Sequence, residues 1–236
     1  MQLRVLETTG VGPQVVVPAN DDGIAEDESV FEQAQTPTKR VFDIAAAIFG
    51  LIFFGPILIG FAIAIKLSDG GPAIFSQMRR GKGGRMFRCY KLRSMVPNAS
   101  ERLKTLLATD IDARNEWNLT QKLQSDPRIT PIGRFIRKTS IDELPQFFNV
   151  LKGDMSLVGP RPIIDREVSR YGKYIADYDK VRPGLTGLWQ VSGRCDLCYS
   201  ERVALDAKYA KNRSFWGDLK IGILTIPVVL FKRGAV

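Results

Sequence analysis

The chain has no histidine among its 236 residues. Ser-His catalytic triads, histidine-based zinc sites and acid–base catalysis by imidazole are therefore excluded, which leaves carboxylates, lysine, tyrosine, cysteine and hydroxyl groups for any chemistry. Cysteine is also scarce, because its three residues, Cys89, Cys195 and Cys198, are too few for a disulfide scaffold and fit a reducing compartment. Cys195 and Cys198 form one C-x-x-C motif. Without a second pair or any histidine, this motif is better interpreted as two small loop residues than as a metal or redox site.

Negative charge is concentrated in the first 38 residues. Residues 1–38 contain one basic and seven acidic residues, a net charge of −6, so the rest of the chain carries +15 within an overall charge of +9. This positive charge predicts anionic partners, for which nucleic acid, acidic lipid headgroups and phosphate substrates are the candidates. The acidic segment has few aromatic residues and is predicted to be a disordered tail. No basic region followed by an apolar run starts at Met1, so no cleavable signal peptide is predicted.

One long run without charge spans residues 44–65, and its 22 residues are enough to cross a bilayer core as a helix. Gly55 and Pro56 lie at its midpoint, where proline removes an amide donor and kinks a helix. A plain spanning helix is therefore not the only interpretation. A kinked spanning helix remains an alternative, since transmembrane helices do tolerate proline.

The charges that flank this run favour a different topology. Lys39 and Arg40 precede it and Lys66 follows it. The positive-inside rule places both of these ends on the cytoplasmic side of a membrane. We therefore predict a re-entrant helix hairpin over residues 39–66, which enters and leaves through one leaflet, followed by a cytoplasmic catalytic domain over residues 67–236.

The remaining chain predicts a mostly helical α+β domain with one short β-hairpin. Two strands, over 73–80 and 85–95, are joined by a glycine-rich turn. The apolar run at 221–231 is too short to span a bilayer, so we expect a C-terminal helix that packs in the core or associates with the membrane interface. Further helices are predicted over 98–117, 132–138, 164–181 and 199–211.

Basic residues are dense in the hairpin, where residues 79–93 contain seven in fifteen. They are interpreted either as a solvated or membrane-facing patch or as contacts to a substrate phosphate. Lys91 is the residue that we expect to turn toward a substrate. The glycines here fit neither the dinucleotide fingerprint nor the P-loop spacing, so they are assigned to the turn.

The centre of the chain carries two adjacent carboxylates, Asp142 and Glu143. Ser140 and Glu143 match a capping box, which would make the acids structural. Pro145 argues against this assignment, because it would then be the fifth helical residue, where its missing N–H is needed. A helix that is capped by Asp142 places Pro145 at the third position, where no donor is required.

The predicted helix from Asp142 would end at Gly153 and present one apolar face. A carboxylate at a helix N-terminus is held in its ionised form beside a favourable site for phosphate. Such a carboxylate can attack phosphorus and its neighbour can hold a divalent cation, although an ordinary Asp cap with a surface Glu remains open. The apolar face consists of Leu144, Phe147, Phe148 and Leu151.

Two arginines flank this pair of acids. Arg137 ends the preceding helix, and Arg161 lies between Pro160 and Pro162. Arginine suits phosphate oxygens because its planar guanidinium donates two bonds at once. A Pro-Arg-Pro segment also restricts the backbone on both sides of the arginine, so either a phosphate-binding turn or a rigid turn with an exposed arginine fits the pattern.

Several motifs in this chain resemble those of the bacterial sugar transferases, the monotopic phosphoglycosyl transferases that initiate exopolysaccharide and other surface-glycan assembly. The resemblance covers residues 39–236. A segment at 183–194, PGLTGLWQVSGR, is similar to that of longer members that act on hexose substrates. The other motifs are K-R-x-F-D at 39–43, G-P-x-x-F at 71–75, Y-K-L-R-S-M at 90–95, D-P-R-I-T at 126–130, S-I-D-E-L-P-Q at 140–146 and V-G-P-R-P at 158–162.

The resemblance implies a two-step reaction. Asp142 would be the nucleophile that attacks the sugar-bearing phosphate of UDP-galactose or UDP-glucose, releases UMP and retains the phosphosugar. Undecaprenyl (polyprenyl) phosphate would then accept the sugar phosphate. Glu143 would act with Asp142 in catalysis and hold Mg²⁺. The implied substrate-binding residues are Lys91, Arg137, Pro160 and Arg161.

The resemblance also implies a location at the cytoplasmic face of the bacterial inner membrane, in contact with lipids, and leaves a homodimer open. Family members break their membrane helix with a Ser-Pro pair, whereas this chain has Gly55 and Pro56. The alternative function is an inactive membrane-anchored scaffold for polysaccharide assembly. A nucleic-acid binder would need recognition helices or aromatic platforms, which the sequence does not contain.

Overall fold

The computed structural model describes residues 37–120, 122–193 and 198–230. Most of the predicted acidic tail, and Cys195 of the C-x-x-C motif, lie outside these ranges. The described chain is mostly helical with small strands, which confirms the predicted α+β class. Its elements are α1 (Pro37–Asp69), β1 (Ile74–Arg80), β2 (Met86–Leu92), α2 (Ala99–Thr109), α3 (Ile111–Thr120), α4 (Pro131–Lys138), α5 (Gln146–Lys152), β3 (Ser156–Val158), α6 (Val168–Tyr171), α7 (Ile175–Asp179), β4 (Gly184–Thr186), α8 (Leu188–Val191), α9 (Tyr199–Asn212) and α10 (Phe215–Leu230).

The predicted hairpin is present as the antiparallel pair β1–β2. Gly83 and Gly84 have φ angles of 66° and 73°, which glycine adopts without a steric penalty, so the turn needs these residues. Residues two apart in a strand share a face, and the register places three pairs on one face of the hairpin. These pairs are Phe75 with Lys91, Gln77 with Cys89 and Arg79 with Phe87. A second, parallel pair joins β3 to β4.

Helix α1 is continuous through Gly55 and Pro56, so the re-entrant bend stays a prediction. Within the described residues it is the helix that is long and apolar enough to cross a membrane, and only 11% of its most apolar 18-residue window is buried. Its large apolar side chains are exposed on the outside of the domain, as a lipid-facing helix requires. The most exposed are Val41, Phe49, Ile52, Phe53, Ile59 and Leu67.

Both halves of α1 nevertheless pack on the same domain. Near its start, Gly50 lies so close to α5 that an added Cβ would stand 2.7 Å from the Phe147 ring. Near its end, Ile65 is buried in a cluster with Leu92 of β2 and Ile136 of α4. The helix is therefore part of the core at two places and exposed along its outer face.

Polar contacts fix the beginning of α1. Arg40 donates to the carbonyl oxygens of Val150 and Leu151 at 2.7 and 2.9 Å, which satisfies free carbonyls at the C-terminal end of α5. Asp43 is buried and accepts hydrogen bonds from the Ser156 hydroxyl at 2.8 Å and from the Leu157 amide at 3.2 Å. The K-R-x-F-D motif thus attaches the membrane helix to the domain.

Two helix predictions are wrong. The helix predicted over 98–117 is divided at Asp110, whose backbone is extended and whose carboxylate accepts from the Ala113 amide, so that Asp110 caps α3. The helix predicted over 164–181 is divided into short 3₁₀ and α segments, because Gly172 has a φ of 48° and a ψ of −126° that no helix continues. The hydrophobic period alone does not reveal either interruption.

The C-terminal predictions agree better with the structure. Helix α9 matches the expected range of 199–211 to within one residue. The apolar run that begins at Ile221 belongs to a longer helix, α10, which starts at Phe215. Ile221 is buried against Val158 and Tyr209, whereas Ile223 and Ile226 are exposed. This helix therefore packs on the domain with one side and presents apolar residues on the other.

We expect Gly133→Ala in α4 to destabilise the protein by roughly 3 kcal/mol or more, because core overpacking against backbone cannot be relieved by a side-chain movement. An alanine Cβ at this position would stand 1.9 Å from the Ser94 carbonyl oxygen. Gly60→Ala in α1 is the matched control, since its Cβ would meet nothing within 4 Å. Melting temperatures of the two variants in detergent check the prediction, and equal values would contradict it.

Candidate active site

Asp142 and Glu143 lie in a 3₁₀ turn, Ile141–Glu143, between α4 and α5. The predicted helix start at Asp142 is wrong, because α5 begins at Gln146. Pro145 has no N–H to continue the turn and instead stands as the residue before the helix. Ser140 has a φ of 58° and makes no capping bond with its side chain, so the capping box is absent, as expected.

Helix α5 holds this turn against the hairpin. Asn149 is fully buried, accepts from the Tyr90 amide at 3.0 Å and donates to the Arg88 carbonyl at 2.7 Å. The predicted apolar face is correct for Phe147 but wrong for Phe148, which is 52% exposed. The face turned to β2 is set by the amide of Asn149 as much as by hydrophobic residues. Gly153 ends α5 with a φ of 86°, as predicted.

Lys91 and Glu143 form an ion pair in which Lys91 Nζ lies 2.6 Å from Glu143 Oε1. Burial alone would raise the pKa of Glu143. The charges of Lys91, Arg161 and Arg79 outweigh that effect and hold the pKa below its usual range. Glu143 is therefore a stable anion that is surrounded by cations. Lys91 lies at the central carboxylates, and its contact with a substrate phosphate stays a prediction.

Asp142 has the opposite environment. It is 8% exposed, and burial together with the neighbouring Glu143 charge raises its pKa to about 6, although Lys91 and Arg137 oppose the shift. The carboxylate is still mainly ionised at neutral pH. A buried anion with few hydrogen bonds is poorly solvated, which makes it a better nucleophile than an exposed aspartate.

Each of the two predicted arginines lies near one of the acids. Arg137 Nε donates to the Ser94 hydroxyl at 2.7 Å, and its charge acts on Asp142. Arg161 is exposed, its guanidinium lies 5.6 Å from the centre of the Trp189 ring, and its charge acts on Glu143. Pro160 is fully buried and contributes its backbone carbonyl to the Gly184 amide, so its side chain supports the turn.

Arg79 is a site residue that the sequence prediction missed. It shares the hairpin face with Lys91, donates to the Pro162 carbonyl at 3.0 Å, and its charge acts on both Glu143 and Arg161. Burial, with the charge of Arg161, lowers the pKa of Arg79, as expected for two cations that share one anion. The signal was available, because alternation along the two strands puts residues 79 and 91 on one side.

The chain that carries this cluster is similar in sequence to known proteins. A sequence model described as bacterial sugar transferase matches residues 34–232. The chain belongs to the bacterial sugar transferase family. Family membership confirms the resemblance that the motifs indicated, and the match extends over all of the described residues.

Relatives of two lengths match the chain. An undecaprenyl-phosphate galactose phosphotransferase of Salmonella typhimurium is 54% identical over 197 residues, which cover 84% of this chain but 41% of that protein. The exopolysaccharide production protein ExoY of Rhizobium meliloti is 44% identical over the same share of this chain and 87% of its own length. A UDP-glucose:undecaprenyl-phosphate glucose-1-phosphate transferase of Escherichia coli is 39% identical, over 80% of this chain and 39% of its own length. The chain thus spans about two fifths of the longer relatives.

The described residues offer few protein ligands for Mg²⁺. Within the described ranges, no group of three His, Cys, Asp or Glu side chains is arranged around a common point. Mg²⁺ is, however, usually held by one or two carboxylates together with substrate phosphates. Glu143 is 39% exposed at its side chain and uses one oxygen for Lys91. The site therefore fits a magnesium ion that arrives with a diphosphate, and does not fit an all-protein magnesium site.

Proposed function

We propose that this sugar transferase moves a hexose 1-phosphate, from UDP-galactose or UDP-glucose, to undecaprenyl phosphate through a covalent intermediate on Asp142. The observation that carries the proposal is the poorly solvated Asp142 carboxylate beside the Glu143–Lys91 pair, with the charges of Arg137 and Arg161 acting on the two acids. The names of the relatives support the acceptor and the sugar donors. Such a reaction would be the first step of exopolysaccharide assembly.

In the first step, an Asp142 oxygen attacks the sugar-bearing phosphorus of the donor. A new P–O bond forms to the carboxylate, and the diphosphate P–O bond breaks, so that UMP leaves with the electron pair. In the second step, a phosphate oxygen of the lipid acceptor attacks the same phosphorus and the bond to Asp142 breaks, which restores the carboxylate. Neither nucleophile carries a proton, so no imidazole base is needed and the absence of histidine is explained.

The surrounding residues are assigned by their charges. Arg137, Arg161 and Lys91 bind phosphate oxygens and offset the negative charge that gathers as UMP leaves. Lys91 also keeps Glu143 ionised, and Glu143 with the donor diphosphate holds Mg²⁺. The ion supplies further charge neutralisation on the phosphates when bound. Arg79 stabilises the loop that carries Arg161 through its bond to Pro162.

The contacts of α1 support a re-entrant arrangement. Arg40 at one end bonds to α5, and Asp69 at the other end is paired with Arg93 just after β2. Helix α5 and β2 are joined through Asn149, so both charged ends of α1 belong to one domain. A bilayer core of about 30 Å between these ends would place that domain on both sides of a membrane. We therefore assign α1 to one leaflet and the domain to the cytoplasmic face of the inner membrane.

Isotope exchange tests the proposal. Without lipid acceptor, the purified protein with Mg²⁺ is expected to exchange labelled UMP into UDP-galactose or UDP-glucose, because the first step is reversible and leaves the phosphosugar on the enzyme. Direct transfer between the two substrates would give no exchange until acceptor is added. Exchange that requires the acceptor would therefore disprove the covalent step, while product formation with acceptor tests the transferase activity separately.

The first step is expected to show an acid limb near pH 6. Asp142 must be ionised to attack, and its raised pKa means that the reactive fraction falls as the pH drops through about 6. Single-turnover UMP release without acceptor is the required measurement, because an acceptor phosphate also titrates near pH 6. Asp177→Asn, at a surface ion pair, should leave the limb unchanged. A rate that is constant down to about pH 4.5 would contradict the assignment.

Cysteine labelling tests the topology. In a chain with Cys195 and Cys198 changed to Ser, the remaining Cys89 is buried and protected from the reagent. One cysteine is then added at Thr38 or at Ser68, which are both exposed positions beyond the apolar run. A membrane-impermeant maleimide is expected to label both from the cytoplasmic side, in inverted vesicles, and neither in intact spheroplasts. Labelling of the two positions from opposite sides would establish the spanning helix instead.

A further inference from the structure

The loop that carries Arg161 is fixed through its backbone by buried side chains of the C-terminal helices. This loop, defined here as residues 158–163, begins at the last residue of β3. Tyr209 of α9 donates to the Val158 carbonyl at 3.0 Å. Tyr178 of α7 donates to the Arg161 carbonyl at 3.1 Å and accepts from the Ile163 amide at 3.3 Å. Helices distant in sequence thus determine the path of the loop.

Tyr178 connects three chain segments at one hydroxyl. It is 1% exposed, and in addition to its two bonds to the loop it lies 2.9 Å from the Arg80 carbonyl at the end of β1. The Arg80 amide in turn donates to the Ile163 carbonyl at 2.8 Å. Because the hydroxyl has one proton, it is shared between the carbonyls of Arg80 and Arg161. The loop is therefore held at a set distance from the hairpin that carries Lys91.

Asp206 lies beside the backbone amide of Arg161. It is 1% exposed, and its Oδ2 accepts from the Tyr171 hydroxyl at 2.8 Å, while its Oδ1 is buried with no hydrogen-bond partner among the described residues. Burial raises the pKa of this carboxyl, and the nearby Arg161 amide opposes that rise. The Arg161 carbonyl is therefore bonded by Tyr178 and its amide lies beside a buried carboxyl group, while prolines on both sides restrict the backbone and the residue itself is exposed.

We propose that Tyr178 and Asp206 are positioning residues, which aim the Arg161 side chain at the donor diphosphate beside Glu143. The proposal rests on the proposed function for the identity of the anion. Of these two buried groups, Tyr178 bonds the backbone carbonyl of the exposed Arg161, and Asp206 has an unpartnered oxygen and lies beside the Arg161 amide. A displacement of about 1 Å in a phosphate-binding side chain can reduce a rate by about a hundredfold, so the backbone of Arg161 is where such control would act.

A double-mutant cycle tests whether these residues act through Arg161. In the Arg161-containing protein, Tyr178→Phe and Asp206→Asn are each expected to raise the KM for the UDP-sugar by about tenfold, with a smaller change in kcat. In an Arg161→Ala background, the same substitutions are expected to have less than a twofold further effect, because the side chain that they position is gone. Effects that multiply in full in that background would overturn the proposal and leave both residues as purely structural.

Two controls separate folding from positioning. Tyr174→Phe removes a hydroxyl from the same tyrosine cluster and is expected to leave KM unchanged. Melting temperatures identify a variant that fails to fold, and Asp206→Asn carries the test if Tyr178→Phe does so. If the wild-type protein turns over no UDP-sugar, the proposed function fails, and the same cycle is then measured on the Kd for UDP by calorimetry. Coupling there supports positioning on its own, and full additivity refutes it.

Discussion

Asp142→Asn is expected to abolish transfer, with a fall in kcat of at least roughly 10⁴-fold, as for enzymes that lose a covalent nucleophile. Asparagine fills the same space and keeps one carbonyl oxygen, but it cannot form a stable ester to phosphorus. The measurement is the transfer of labelled sugar phosphate to lipid, together with trapping of a phosphosugar adduct on the denatured protein. The variant should form neither product nor adduct.

The same variant is expected to be more stable than the native protein at neutral pH. Asp142 has a pKa of about 6 in the fold against an ordinary pKa of 3.8 for an aspartate, so its ionisation costs folding free energy above pH 6 and costs nothing below about pH 3.8. The full difference corresponds to about 3 kcal/mol at about 1.4 kcal/mol per pKa unit. Asparagine removes that cost. The gain should be present at pH 7.5 and should disappear as the pH falls toward 4.

The activity and the stability of Asp142→Asn together test whether Asp142 is the nucleophile. An inactive but stabilised Asp142→Asn protein has lost a reacting group and retained its fold. Unchanged turnover in this variant would end the proposed mechanism, and the inactive scaffold would become the better function. Loss of activity together with a lower melting temperature at pH 7.5 would instead show that Asp142 stabilises the fold, contrary to its buried and poorly solvated position.

Asp43→Ala is expected to have the largest effect on stability, about 3–5 kcal/mol, because it removes one partner from a buried network in which Asp43 also lies 3.8 Å from Lys39 Nζ. The Ser156 hydroxyl and the Leu157 amide would lose their acceptor in a site where Asp43 is 2% exposed. For a domain of this size the loss corresponds to roughly 6–20 °C in melting temperature. Scanning fluorimetry in detergent measures the change.

The control for Asp43 is another aspartate with lysine partners. Asp177 pairs with Lys180 and Lys211, whose side chains are 56% and 49% exposed. Exposed ion pairs contribute about 1 kcal/mol or less, so Asp177→Ala should shift the melting temperature little. Equal shifts for the two variants would show that the contact between α1 and β3 adds no more than a surface pair does. Equal shifts would also mean that Asp43 does not hold α1 tightly to the domain.

Local signals were sufficient for the hairpin and for the helices whose boundaries are marked by specific residues. Helix α4 has Thr130 as its cap and Pro131 in its first turn, and its observed range agrees with the prediction. The two interrupted helices were missed because their breaks depend on one residue each. Asp110 is an acceptable helix residue until its carboxylate is used as a cap, and Gly172 is tolerated in helices until packing demands a positive φ.

The residues of the site likewise fall into two groups, those that a local sequence signal marks and those that it does not. Asp142, Glu143, Arg137 and Arg161 were predicted as site residues from their residue types, their proximity in sequence and the family resemblance, and Lys91 from the basic hairpin; the structure brings their charges together, and their roles stay predictions. Arg79 was missed because its role depends on strand register and on the Pro162 carbonyl, 83 residues away. The supporting groups Tyr178 and Asp206 had no sequence signal, since a buried tyrosine and a helical aspartate occur in many cores.

The sequence by itself determined that this is a histidine-free, strongly basic domain with an apolar helix and an acidic pair between arginines, because charge, hydrophobicity and turn residues act locally. Only the tertiary structure decided which of those charges meet. Lys91 is paired with Glu143, and Asp142 is buried and poorly solvated. The pKa of Asp142 depends first on that burial and on the charges that the fold brings near it, in addition to its chain neighbour Glu143. The tertiary contacts also decided that both ends of α1 attach to one domain.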